Sequence, residues 1–221
     1  MNLGKWISSI VPPNKQKMAA RWLPPNENLW RLPVLDCTQY ANGMVSFTGS
    51  PEVAKKYSEL RGASGEELLR LDFKPAQRLA SDLTYKINKR PADGPVFKSR
   101  VMEEKWDIYS YDERLFFCRS WSGELVYRAA VKCEPPVLKI LMVESRQEIH
   151  DKLVVRQVDF LVKSHLMLAT ALHPLSPDLA RDEEKQAVHS FGCYGTKGRY
   201  GTLEETIGTS YYWNQSPLTN R

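Results

Sequence analysis

The chain has 221 residues, 42% of them hydrophobic and 26% charged, with a formal net charge of +5. That is enough material for one large core or two small ones, and the balance excludes a disordered or low-complexity chain. Lys and Arg are scattered rather than gathered into blocks, so nucleic-acid binding is not signalled. The wide spacing of Cys37, Cys118, Cys133 and Cys193 excludes a disulfide framework and points to a reducing, cytoplasmic compartment.

In chain order, residues 1–30 read as an irregular N-terminal arm. Pro12-Pro13 and Pro24-Pro25 break any long helix, and Trp22 and Trp30 are the natural anchors. The apolar part of Met1–Pro13 is too short for a signal peptide, and no run in the chain approaches the length of a transmembrane helix, so no membrane association is expected. Trp6, Ile7, Ile10 and Val11 have the spacing of a single amphipathic turn. A short strand is expected within 31–37. A helix begins at Ser50, whose hydroxyl caps free N–H groups, with Pro51 in the first helical position, Glu52 at the positive end and Gly62 as a stop. Residues 66–73 fit a helix or a strand equally.

Residues 74–100 alternate Pro, Lys, Arg and Asp, and Pro91-Ala92-Asp93-Gly94-Pro95 reads as a turn or loop and a possible internal boundary. From Val101 the pattern changes to short strands. Met102, Glu104, Trp106 and Ile108 are expected on one face, and Leu115, Phe117, Arg119 and Trp121 on one face of the next strand. Tyr111-Asp112-Glu113 and Ser122-Gly123 supply turns, 124–131 and 137–143 supply further strands, and Pro135-Pro136 separates them. Short turns make these neighbours antiparallel. A long helix follows over 153–172, with Val154, Val158, Leu161, His165, Leu168 and Leu172 as its apolar stripe. A capped helix opens near Ser176, and the Gly- and Tyr-rich remainder reads as a flexible tail. The expected fold class is α+β: a central antiparallel meander of about four strands packed by a long helix. An irregular arm (1–30) precedes a single domain (31–175), and a helix with its tail (176–221) follows it.

One constellation carries chemistry. Arg119, Ser120, Trp121, Ser122 and Gly123 form a hairpin that combines a planar cation, an aromatic face, two hydroxyls and a glycine permitting close approach. It suits a small anionic ligand or a protein partner. The competing reading makes the same residues framework, with Arg119 pairing with Glu103 or Glu104 across strands and Trp121 in the core. Glu104 and Glu124 are the weak candidates for acid–base work. Adjacent strand residues face opposite ways, which separates Glu103 from Glu104. His165 reads as a core histidine. His189 and Cys193 have a spacing that zinc tolerates, but no second pair accompanies them, so no metal and no cofactor is expected. Phosphate-loop, dinucleotide, nucleophile-elbow and zinc-protease motifs are missing.

The segment Glu104-Lys105-Trp106 … Leu115-Phe116-Phe117-Cys118-Arg119-Ser120-Trp121-Ser122-Gly123-Glu124-Leu125-Val126-Tyr127 resembles a bacterial family of small uncharacterised proteins. That family carries Glu-Lys-Trp, Arg-Ser-Trp-Thr-Gly and Ile/Val-Tyr strands and then an apolar helix, similar to Val158-Asp159-Phe160-Leu161. Ser122 stands where Thr is more usual. The resemblance covers about residues 101–170 and implies a cytoplasmic α+β domain but no activity. The leading expectation is therefore a non-enzymatic binding module, with an immunity- or antitoxin-like role as one version. The alternative is an enzyme acting on a nucleotide or ADP-ribose-like substrate.

Overall fold

The computed structural model describes residues 10–11, 18–179, 182–207 and 212–213. The N-terminal part contains β1 (Ile10–Val11), β2 (Arg21–Leu23), β3 (Val34–Asp36), α1 (Thr38–Gly43), β4 (Val45–Ser46), α2 (Pro51–Arg61) and a 3-10 turn at Glu66–Arg70. The central part contains β5 (Gln77–Ile87), β6 (Gly94–Phe97), β7 (Trp106–Tyr111), β8 (Arg114–Arg119), β9 (Leu125–Glu134) and β10 (Val137–Ser145). Then follow α3 (Asp151–Leu161), a π turn at Val162–Leu166, β11 (His173–Pro174), α4 (Glu183–Tyr194), β12 (Tyr200–Thr202) and β13 (Tyr212–Trp213).

The expected α+β class holds, but the sheet is larger than a four-strand meander. Among the described residues it has seven strands in the order β13-β5-β10-β9-β8-β7-β6. β6 to β10 run up and down as consecutive antiparallel neighbours. β5 is the addition, in a charged stretch to which the sequence pattern assigns no strand. Its charged residues are only the solvent half of a strict alternation: Arg78, Asp82, Thr84 and Lys86 are exposed, while Leu83, Tyr85 and Ile87 are buried. The turn at 91–95 spans the end of the β5–β6 link and the start of β6, and these two strands lie at opposite sides of this one sheet. The link 88–93 spans at most roughly 25 Å. Five flat strand spacings of about 4.8 Å would use all of it, so the sheet curls. α3 touches β5 and β10, and the π turn touches β6, so this helical segment bridges the two sides.

The inner face of the sheet is covered, and so is the outer face over β7, β8 and the start of β9. On the inner face Leu83, Tyr85, Trp106, Ile108, Leu115, Phe117, Tyr127, Ala129, Leu138 and Ile140 meet Val154, Val158, Leu161 and Val162. On the outer face Tyr109, Tyr111, Phe116, Cys118 and Leu125 meet Leu68 and Phe73 from the segment after α2. α2 is capped as expected: the Val53 N–H donates to Ser50 Oγ at 3.3 Å, and Gly62 closes it. The β7–β8 turn places Asp112 at φ 45° and Glu113 at φ 57°, the paired left-handed geometry that twists a hairpin correctly.

The long helix ends before Leu172. Met167 N–H donates to Val162 carbonyl oxygen (3.0 Å) and Ala169 N–H to that of Lys163 (2.9 Å), with Leu168 at φ 55° between them. Val154, Val158, Leu161 and His165 are buried as the stripe requires, but Leu168 is 67% exposed.

A smaller sheet, in the order β11-β12-β3-β2, joins segments from both parts of the chain. It takes in the strand Arg21–Leu23 from the segment expected as an irregular arm and Tyr200–Thr202 from the Gly/Tyr-rich segment expected as a tail. Trp22 packs beside Leu35, Tyr40 and Phe191, and Trp30 lies 5.2 Å from the Tyr200 ring. Beyond β12 the chain follows α3: Arg156 donates to the Thr202, Leu203 and Glu204 carbonyls, and Lys163 donates to that of Thr206. Trp6, Ile7 and the end of the tail lie outside the described residues.

Candidate functional site

The five hairpin residues do come together, but their polar atoms point into the protein. Arg119 ends β8, and its guanidinium lies 4.9 Å from the centre of the Trp106 ring. It donates to the Gly192 carbonyl at 2.8 Å and the Cys193 carbonyl at 3.1 Å, in the last turn of α4. A helix end leaves such carbonyls without partners and carries negative partial charge, so a fixed guanidinium suits it. Trp106 Nε1 donates to the same Cys193 carbonyl at 2.8 Å. Arg119 thus pairs with main chain rather than with Glu103 or Glu104.

Ser120 is fully buried. Its hydroxyl donates to the Glu104 carbonyl at 2.7 Å, and its N–H donates to the Lys105 carbonyl at 3.0 Å. Trp121 lies beyond the regular strand, and its Nε1 donates to the Met102 carbonyl at 2.8 Å. Ser122 Oγ accepts the Glu124 N–H at 3.2 Å. Gly123 sits at φ 70°, where a Cβ would stand 2.9 Å from Leu60 Cδ2. The hairpin is therefore a knot that ties the 101–105 loop, α2 and α4 to the end of β8.

The carboxylates do not gather around it. Glu104 accepts the Arg100 N–H at 2.6 Å, Glu103 accepts the Ser46 N–H at 2.8 Å, and Glu124 lies 3.7 Å from Arg146. Met102 and Glu104 precede the strand rather than share its face, because β7 begins at Trp106.

Beneath the knot lies a charge cluster that sequence reasoning missed. Asp107, 1% exposed, receives Arg61 through both carboxylate oxygens at 3.1 and 2.7 Å, and Lys98 stands 3.3 Å away. The Ser99 N–H adds a fourth donor at 2.8 Å. Arg61 also donates to the Ser120 carbonyl at 3.0 Å. The signal was available: a carboxylate inside an apolar run such as Trp106–Tyr111 must find buried partners. Lys105 was missed too. Its ammonium is buried 5.1 Å from the centre of the Trp121 ring and 4.9 Å from that of Phe191. It donates to Ser46 Oγ at 2.5 Å and the Met102 carbonyl at 3.0 Å. Burial and the nearby Arg119 charge, against Glu103, pull its pKa down to about 7.

Three further groups complete the inventory. Asp159 in α3 accepts the Tyr85 hydroxyl at 2.9 Å and the Lys163 ammonium at 2.5 Å, all inside the core. Buried His165 contacts Ser164 Oγ through Nδ1 at 2.8 Å, and its Nε2 has no partner. On α4, His189 lies beside Cys193, with ring nitrogens 3.7 and 3.9 Å from Sγ. Among the described residues no group of three or more His, Cys, Asp or Glu is placed to hold a metal ion, and no helix is long and apolar enough to cross a membrane. No family model, curated protein or solved structure matches the chain.

Proposed function

We propose that the protein is a non-enzymatic interaction module whose contact face is centred on Trp121 and whose occupant is a protein. The observation that carries this reading is a fixed, half-buried aromatic whose holding segments carry exposed apolar residues. Trp121 is pinned through Nε1 yet only half-buried, and Tyr57 lies 6.5 Å from it, ring to ring. Val101, 49% exposed, adjoins the Met102 carbonyl that holds the indole, and Phe47, 47% exposed, adjoins the Ser46 that holds Lys105. Rigid aromatics lose little freedom on binding and are common anchors in protein contacts. Exposed Arg100 beside Val101 and the net charge of +5 favour a partner that offers apolar side chains and carboxylates.

A small anionic ligand on Arg119 is disfavoured, because it would have to take donors from the end of α4. The enzyme reading, with Glu104 or Glu124 as acid–base group, also needs carboxylates that now serve separate segments. Native mass spectrometry of the protein recovered from its own cells tests the proposal. A stoichiometric protein partner is expected with the unmodified chain and with Leu141→Asp, an exposed position on β10, and is expected to be lost with Phe47→Asp plus Val101→Asp. Retention of the partner by the double variant, or a bare chain in every sample, would sink the reading.

A further inference from the structure

The four cysteines have different surroundings. Cys37 and Cys118 are buried among apolar side chains. Burial pushes the Cys37 thiol up to about 12, and the thiols of Cys118 and of half-buried Cys133 up as well. Cys193 differs. It is only partly buried, it lies in the last turn of α4, and cationic groups from two elements act on it against the negative end of that helix. His189, one turn earlier on the same helix, places both ring nitrogens within 4 Å of Sγ, at 3.7 and 3.9 Å. Arg119 reaches from β8 to the carbonyl of Cys193 itself, and Trp106 fixes both by stacking under the guanidinium and donating to the same carbonyl.

The electrostatics agree with the geometry. Burial pushes the Cys193 thiol up, but the hydrogen bond and charge of His189 and the charge of Arg119 outweigh it and hold the thiol below its ordinary value. The sulfur in turn raises the His189 imidazole. The other titratable groups facing this pair are neutral near neutral pH. Burial pushes the hydroxyls of Tyr127 on β9 and Tyr194 on α4 up, and pulls His173 on β11 down to about 4. Glu124 acts on Arg119 from the start of β9.

We propose that Cys193 and His189 form a thiolate–imidazolium pair that makes Cys193 a nucleophile toward small-molecule disulfides. The thiolate attacks one sulfur of the disulfide, and a new S–S bond joins Cys193 to that half. The old S–S bond breaks, its electron pair leaves on the other half, and that thiolate takes the proton that His189 carried. The small disulfide is the oxidant and is reduced to one free thiol for each mixed disulfide formed. The adduct stands at the joint between α4 and β8. This inference is independent of the contact face around Trp121.

The experiment reacts the full chain with oxidised glutathione and, separately, with iodoacetamide, and locates adducts by peptide mass spectrometry from about pH 5 to about pH 9. Iodoacetamide is expected to label Cys193 roughly tenfold faster than Cys133 at about pH 6.5, the thiolate advantage being partly offset by the lower intrinsic nucleophilicity of a more acidic thiol. Oxidised glutathione is expected to give one adduct per chain, at Cys193. His189→Gln is expected to move the pH–rate profile of Cys193 to higher pH, slowing it at about pH 6.5 while its rate at the alkaline end stays equal or rises modestly, as a more basic thiolate requires. A change of access would alter the rate at every pH instead. If Cys193 tracks Cys133 at all pH values, or takes up no glutathione, the proposal fails. It also fails if folded His189→Gln keeps the original profile, and the unmodified chain alone decides the matter if that variant does not fold.

Discussion

The guanidinium of Arg119 meets two carbonyls at a helix end and a flat indole below it, an arrangement that needs a planar fork as well as a charge. Arg119→Lys is therefore expected to lower stability by about 1–2 kcal/mol, and Arg119→Ala by about 2–3 kcal/mol, in urea denaturation. If Lys replaced Arg without loss, charge alone would explain the site. Asp107 is the more demanding position. Asp107→Ala leaves Arg61 and Lys98 without their buried counter-charge and is expected to cost roughly 3–5 kcal/mol. A loss under about 1 kcal/mol would mean that water reaches the two cations and replaces the carboxylate. At this scale the sequence shows which hairpin residues cluster, because turn chemistry is local. It does not show where they point. The carbonyls that hold Arg119 lie 73 and 74 residues further along the chain, and a main-chain acceptor has no residue type to betray it.

Elements with chemical punctuation were legible, and those without it were not. Ser50, Pro51 and Gly62 mark both ends of α2. β5 was hidden because its charges drew attention from the alternation beneath them. The end of the long helix was hidden for a different reason: the left-handed stop residue is Leu168, where glycine is usual. Helix-competent residues continue past it, so the apolar stripe runs on while the backbone does not. Leu168→Gly is expected to raise stability by about 0.5–1 kcal/mol in thermal unfolding, since glycine tolerates that backbone and the leucine side chain is mostly exposed. Destabilisation would show that Leu168 makes a contact its exposure conceals. The π turn itself has a local cause: Ser164 donates to the Phe160 carbonyl at 2.7 Å and so competes with the helical ladder.

For the molecule as a whole, the α+β class was legible from strand-like and helix-like stretches in succession, whereas the small sheet was not, because its strands are only two or three residues long. The stability of the whole fold is expected to depend on pH. Buried His165 and His173, pulled down to about 3 and about 4 by burial, are neutral when folded, whereas the unfolded chain protonates them near its ordinary value of 6.5. The unfolded state binds more protons in that window, so stability is full above it and falls with pH. A loss of about 2–5 kcal/mol is expected by about pH 4.5 in denaturant titrations. Lys105, pulled down to about 7, adds stability as pH rises from there toward 10.5. The buried thiols of Cys37 and Cys118, pushed above their ordinary 9.0, remove more than that beyond about 9, and buried Tyr109 and Tyr127, pushed above 10, add to the loss beyond that value. The maximum is thus expected on the alkaline side of neutrality, and a maximum near pH 5 would contradict these assignments. The small sheet has a temporal consequence. Thr202 closes onto the Pro33 carbonyl across 169 residues of chain, so during synthesis β3 has only β2 to pair with until β12, far along the chain, has been made. The large sheet, built mostly of consecutive strands, is free to form first, while the apolar segment around Leu35 stays without the α4 residues that cover it.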